Sequence, residues 1–269
     1  MGELIRVNEL KDCKFIGSII LRDGLTEIGE YTFYNCRNLE HVVIPSSITK
    51  IGSHAFAGSG LKSIILPGRL TEIGESAFNN CRNLENIVIP ETVTKIDPYA
   101  FVDSGLKSII LPGWLTEIGE SVFNNCRNLE NIVMPEAVTK IGSHAFAYSG
   151  LKSIILPGRL TEIGEYAFDY CRNLETVVIP NTVTKIGSGA FAQSGLRSIT
   201  LLDGQLTEIE EYTFFNCRNL EIVVIPETVT KIGPSAFAYS GLKSIMLPHG
   251  VEIAESAFRN CHNLVMKYS

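Results

Sequence analysis

Isoleucine, phenylalanine and leucine return along this chain at intervals of about 22 or 23 residues, in three parallel files. The isoleucine file is Ile28, Ile51, Ile73, Ile96, Ile118, Ile141, Ile163, Ile186, Ile209, Ile232 and Ile253. Phenylalanine follows each, from Phe33 and Phe56 to Phe258, and leucine runs from Leu39 and Leu61 to Leu264. Two units alternate. A long one contains Cys-Arg-Asn-Leu-Glu and a short one contains Ser-Gly-Leu-Lys-Ser, so the stretch from Leu70 to Trp114 recurs almost letter for letter from Leu115. One such unit cannot bury its own apolar side. Stacked in register, the units turn each file into a continuous apolar ladder. The pattern predicts a single repeat domain over 1–269: a partial coil and cover at 1–24, eleven coils at 25–264, and a short end at 265–269.

Each coil carries its own local signals. Leu39-x-x-Val42-x-Ile44 alternates inward and outward, as a strand does. Pro45 and its equivalents end that strand by removing a ladder donor. Gly29, Gly52 and Gly74 mark a tight bend. Glu-x-Ala-Phe-x-x-Cys then predicts one short helical or 3₁₀ turn on the side opposite the strand. At about 4.8 Å per strand, eleven coils make a body roughly 50 Å long.

The motif L-x-x-I-x-[IL]-P-x-x-[LV]-T-x-I-G-x-x-A-F-x-x-C, carried by Leu84, Ile87, Ile89, Pro90, Val93, Ile96, Ala100 and Phe101, resembles the BspA-type leucine-rich repeats. The resemblance runs from about Ile16 to Leu264. It implies a leucine-rich-repeat solenoid of right-handed coils with a parallel β-sheet face, and a role in cell-surface adhesion or in binding host and matrix proteins. Asp97 and Glu210 depart from the pattern by replacing the bend glycine, and Leu202-Asp203 replaces Pro-Gly.

Several columns imitate chemistry. Six of the seven cysteines fall in one file: Cys36, Cys81, Cys126, Cys171, Cys217 and Cys261. All belong to long coils, so neighbours lie two layers apart, about 9.5 Å by strand spacing. A disulfide needs Cα atoms within about 7 Å, so reduced, packed thiols are expected. Glutamate and lysine alternate along the axis in two series, one starting Glu27, Lys50, Glu72, the other Glu40, Lys62, Glu85. Both predict exposed ion ladders worth about 0–1 kcal/mol per pair. Arg37, Arg82, Arg127, Arg172 and Arg218 form a file on alternate layers, with Glu30, Glu75 and Glu120 as candidates to neutralise it. No catalytic constellation emerges. His54 and His144 are four layers apart, and repeated residues form rows where a catalytic site needs convergence. The chain is therefore expected to be a non-enzyme without a cofactor or metal.

Net charge is −6 with both signs interspersed, which gives no basic stripe for nucleic acid. No apolar run approaches the roughly 18–20 residues of a membrane-inserted span. The opening residues Met1-Gly2-Glu3-Leu4-Ile5-Arg6 lack the features of a secretory leader. Surface or secreted location rests on the resemblance alone, and unpaired cysteines fit an intracellular one.

Binding is expected on the outward side of the strands. There Val43, Ile65, Val88, Ile110, Val133, Ile155 and Val178 form an aliphatic file beside a polar one that includes Asn86 and Asn131. A strip of that size suggests an interface, although β-branched residues favour strands whatever their partner. Trp114, the only tryptophan, is a candidate anchor at a turn. Lys267 is expected at an inward position, where a charge discourages pairing of the last edge. The leading expectation is a protein-binding module of the adhesin type, and the alternative is an intracellular scaffold without a dedicated ligand site. End-to-end or face-to-face self-association is open to both.

Overall fold

A computed structural model of the chain describes residue 10 and residues 12–269. Most of the expected N-terminal cover lies outside the described residues. The rest is a parallel β-solenoid of about eleven turns, and each turn has three walls.

The first wall is a broad ladder of strands two to four residues long. Ser18–Ile20 pairs with His41–Val43, and the ladder continues through Asn86–Val88 to Ser108–Ile110. It lapses at 131–134, returns as a single bridge from Ser153 to Thr176, and then runs unbroken from Thr176–Ile179 to Val265–Tyr268. Alternation holds up to the last strand, whose four residues are all exposed: Ile87, for one, faces the core while Asn86 and Val88 are exposed. At the far end Met266 pairs opposite Ile245, and Lys267 opposite Met246. Lys267 therefore points outward. The expected inward charge is off by one residue, and a one-residue slip flips every side chain of a strand.

The second wall is a narrow ladder of two-residue strands centred on the isoleucine file. It pairs Glu27 with Lys50, Lys50 with Glu72 and Glu72 with Lys95. The glycine after most of these isoleucines permits this closeness. A Cβ on Gly74 would sit 2.7 Å from the Ser53 nitrogen of the preceding coil, and one on Gly164 would sit 2.6 Å from Gly142. The ladder breaks twice, between Ile96 and Ile118 and between Ile186 and Ile209. These breaks adjoin the coils of Asp97 and Glu210, which replace that glycine; Ala254 replaces it too, at a pairing with Ile232 that stays intact.

The third wall was expected to be a helical turn and is not. No helix forms among the described residues. Two left-handed residues flank each phenylalanine of the file up to Phe237, such as Tyr31 and Asn35 around Phe33, or Tyr166 and Tyr170 around Phe168. A helix cannot pass through such residues. Amide groups alternate instead. Thr32, Tyr34 and Cys36 bond back three residues, whereas Tyr31, Phe33 and Asn35 donate to Ser53, Ala55 and Ala57 of the next coil. The wall is thus a third interlayer ladder, made of successive tight turns.

Between the walls lies the core. Phenylalanine rings from Phe33 to Phe258 stack face to face at 5.1–5.8 Å between centroids. Isoleucine and leucine files flank them, and nearly all are fully buried.

Candidate functional site

Strand alternation places the expected contact residues where the sequence put them. Val43, Val88, Ile110 and Val178 end or follow the outward turn of their strands, and all are exposed. Ile65, Val133 and Ile155, at 86%, 82% and 85% exposure, stand out furthest. They sit where the broad ladder is shortest or absent. Asn86 and Asn131 are exposed beside them. The file continues to Ile20 at one end and, past the exposed Thr200, to Val224 at the other, where the column is also expected.

Trp114 is not part of this file. It occupies the corner between the two ladders, 39% exposed, and its indole N–H donates to the Glu91 carbonyl of the preceding coil at 2.7 Å. The Gly113 amide donates to the Glu91 carboxylate. The ring borders a cavity of about 530 Å³ that opens where the narrow ladder first breaks, lined also by Lys95, Asp97, Glu117 and Lys140. Lys95 there pairs with Asp97 of its own coil at 2.8 Å. In the unbroken stretch that follows, Lys140 reaches Glu117 and Glu162 in the coils on either side.

The charge series beside the broad face resolves into discrete pairs. Lys62 meets Glu40, Lys107 meets Glu85, Lys152 meets Glu130 and Lys243 meets Glu221, at 2.6–2.8 Å. Each joins a long coil to the short coil after it. Hydrogen bonding to Lys62 holds the Glu40 carboxyl below its ordinary range.

The arginine file behaves otherwise. Its expected neutralisers do not reach it, and among the described residues no carboxylate forms an ion pair with Arg37, Arg82, Arg127, Arg172 or Arg218. Arg37, Arg82, Arg127 and Arg218 each donate Nε–H to the asparagine two residues earlier. Arg172 has Tyr170 there instead, and its guanidinium lies 5.1 Å from the ring centroid. The glutamates fail because they belong to the narrow wall, across the third wall from the arginine corner. Spacing alone gave no hint of that separation.

Buried thiols complete the inventory. Cys81, Cys126, Cys171 and Cys217 are free and buried. Each donates to a phenylalanine carbonyl of the preceding coil at 3.1 Å, as Cys81 does to Phe56, and lies beside a serine hydroxyl. Burial pushes all four thiols up to about 12, which removes the thiolate that redox or metal chemistry requires.

Parallel ladders, a bend glycine and stacked leucine, isoleucine and phenylalanine files define a leucine-rich-repeat solenoid. The BspA type leucine rich repeat region model matches residues 3–130, 51–173, 94–214 and 139–265, and the chain belongs to that family. A leucine-rich repeat protein from Bacteroides ovatus is 30% identical, covers 98% of this chain and 77% of its own, and superposes with a TM-score of 0.82. A leucine rich cell surface protein from Faecalibacterium prausnitzii is also 30% identical, over 94% of this chain and 79% of its own, with a TM-score of 0.56. The T. pallidum leucine rich repeat protein is 31% identical over 57% of this chain and 75% of its own, with a TM-score of 0.51. No curated protein matches the chain.

Proposed function

We propose that the chain acts as one repeat domain that binds a protein partner, in the manner of a surface adhesin or a binder of host or matrix proteins. The observation that carries this reading is the aliphatic file Val43, Ile65, Val88, Ile110, Val133, Ile155 and Val178, exposed along the broad face. Flanking Asn86 and Asn131 supply hydrogen-bonding groups at its edge. Such a mixed apolar and polar strip is what a partner of extended shape requires. The cell-surface description of the Faecalibacterium relative supports the adhesin form of the reading. Membership of a repeat family, with buried inert thiols and dispersed histidines, supports binding over catalysis.

The test is a cross-linking capture from host-cell and matrix extracts, run with the full chain and with Val88, Ile110, Val133 and Ile155 changed together to glutamate. The reading expects specific protein bands that the quadruple variant loses while keeping its thermal unfolding. Capture that persists unchanged moves the site off this face. Concentration-dependent sedimentation of the full chain, abolished by the same variant, replaces the foreign partner with a second copy. Trp114→Ala should leave capture intact, since the indole is engaged with its own preceding coil.

A further inference from the structure

We infer that the arginine corner binds an acidic polysaccharide, with its principal subsite in the notch between Arg127 and Arg172. This surface is separate from the aliphatic file and does not depend on it.

The notches are forced by the backbone. Between successive arginines the short coil always places glycine: Gly60, Gly105, Gly150, Gly195 and Gly241. A Cβ on any of them would lie 2.1–2.2 Å from the carbonyl oxygen of the arginine before it. No side chain can stand at the glycine position itself, between two arginines. Cavities of about 420, 330 and 400 Å³ result between Arg37 and Arg82, Arg82 and Arg127, and Arg127 and Arg172. Two layers separate successive guanidinium groups, about 10 Å by strand spacing.

The lips of these notches differ from coil to coil, as Gly58, Asp103, Tyr148, Gln193 and Tyr239. Asp103 borders the second and accepts a hydrogen bond from Asn125, so that notch carries its own anion. The third carries Tyr148 in place of an acid. Tyr148 stacks on Tyr170 at 4.5 Å and remains 42% exposed. Arg172 is braced against the other ring of this pair, and Arg127 is held by Asn125 at 2.7 Å. Two unpaired, pre-positioned guanidinium groups therefore flank a stacked and partly exposed tyrosine pair.

A guanidinium takes a carboxylate or sulfate in bidentate fashion. An aromatic ring offers its face to the C–H side of a sugar, as it does to other apolar surface. A polysaccharide with one acidic sugar per disaccharide would present one anion to each arginine and lay its neutral sugar over the glycine layer. A polynucleotide or an acidic peptide carries charge at every unit. Half of it would face the glycine layers, whose nearest cations, Lys107 and Lys152, are already paired with Glu85 and Glu130 of the arginine layers. Asp103 closes the Arg82 end to an anion, so the footprint runs from Arg127 through Arg172 towards Arg218.

The test is calorimetric titration of the full chain with a hyaluronan octasaccharide, which has one carboxylate per disaccharide and no sulfate. Arg127→Gln combined with Arg172→Gln should weaken binding by about tenfold or more, through loss of two charge-assisted contacts. Tyr148→Ala should weaken it by about threefold to tenfold, as an exposed stacking contact would. Asp103→Asn, which removes the competing acid, should strengthen binding about threefold, a gain that misfolding cannot mimic. Neutral chitin octasaccharide should not bind. The inference is overturned if the octasaccharide binds no better than the neutral one. It is also overturned if the arginine and tyrosine changes leave affinity unaltered, or if oligouridylate or polyglutamate binds as tightly.

Discussion

Two kinds of interface between coils occur in this molecule: most keep the narrow ladder, and two have lost it. At Gly142 and Gly164 the backbones touch. Gly142 donates to the Ile118 carbonyl at 2.8 Å and Gly164 to Ile141 at 2.7 Å. Next to Asp97 and Glu210 the narrow ladder opens. The core records the same event. Phe101 to Phe123 and Phe191 to Phe214 are both 5.8 Å, against 5.1–5.4 Å at the phenylalanine pairs Phe78–Phe101, Phe146–Phe168 and Phe214–Phe237. Gly119, across the first opening, would meet nothing closer than 3.4 Å if given a Cβ. Yet Phe101 and Phe123 remain fully buried on either side of the opening. The aromatic file thus holds the array together through gaps that the backbone ladder cannot bridge, and the ladder is the part that yields.

That contrast can be broken at several strengths. The largest loss should come from the file itself. Phe146→Ala, in a tight interface, should cost about 3–5 kcal/mol in chemical denaturation. Next is the bend glycine. Gly164→Ala forces a Cβ against the Gly142 backbone and should cost about 1–3 kcal/mol. Gly119→Ala has room and should be neutral, or stabilising by up to about 0.5 kcal/mol, through reduced freedom of the unfolded chain. Equal costs at the two glycines would remove the distinction between the interfaces.

A smaller effect is tied to pH. Asp169 stands where two other long coils place Asn79 and Asn124, and its Oδ1 is buried without a hydrogen-bond partner. Burial pushes its carboxyl from 3.8 to about 6. The folded chain therefore holds this proton more tightly than the unfolded one. Its contribution is best below about pH 4 and worsens as pH rises through 6. Asp169→Asn should stabilise by about 1 kcal/mol at pH 7.5, after allowance for solvent screening, and by nothing at pH 3.5. A pH-independent difference would show that packing, not ionisation, is responsible. The smallest change expected is Lys152→Glu, which breaks one exposed pair and should cost no more than about 1 kcal/mol.

Much of this was legible in the sequence because repetition fixes register. Ile28, Phe33 and Leu39 recur together, and only stacked coils bury all three. The cysteine file could be dismissed as disulfides for the same reason. The third wall was not legible. Glu-x-Ala-Phe-x-x-Cys has the composition of a helical turn, and the left-handed residues that forbid a helix are as often Tyr31, His54 or Tyr148 as the expected asparagine or glycine. The asparagines at 35, 80, 125 and 216 were the available signal. On the binding side, the exposure of Val133 and Ile155 followed from alternation. The unpaired arginines did not, because whether Glu75 can reach Arg82 depends on how far apart the walls place them. Lys267 was misplaced for a related reason: the last coil sets Met266 two residues after Leu264, where Ile245 follows Leu242 by three.

The most direct measurement is native-state amide hydrogen exchange across the narrow ladder, which reads local opening residue by residue. If the coils stack in register and open only beside Asp97 and Glu210, the amides of Gly142, Gly164 and Gly233 will be strongly protected. Those of Gly119 and Glu210 will then exchange at least about tenfold faster. Uniform protection along the file, or fast exchange at Gly142 and Gly164 as well, would contradict the account.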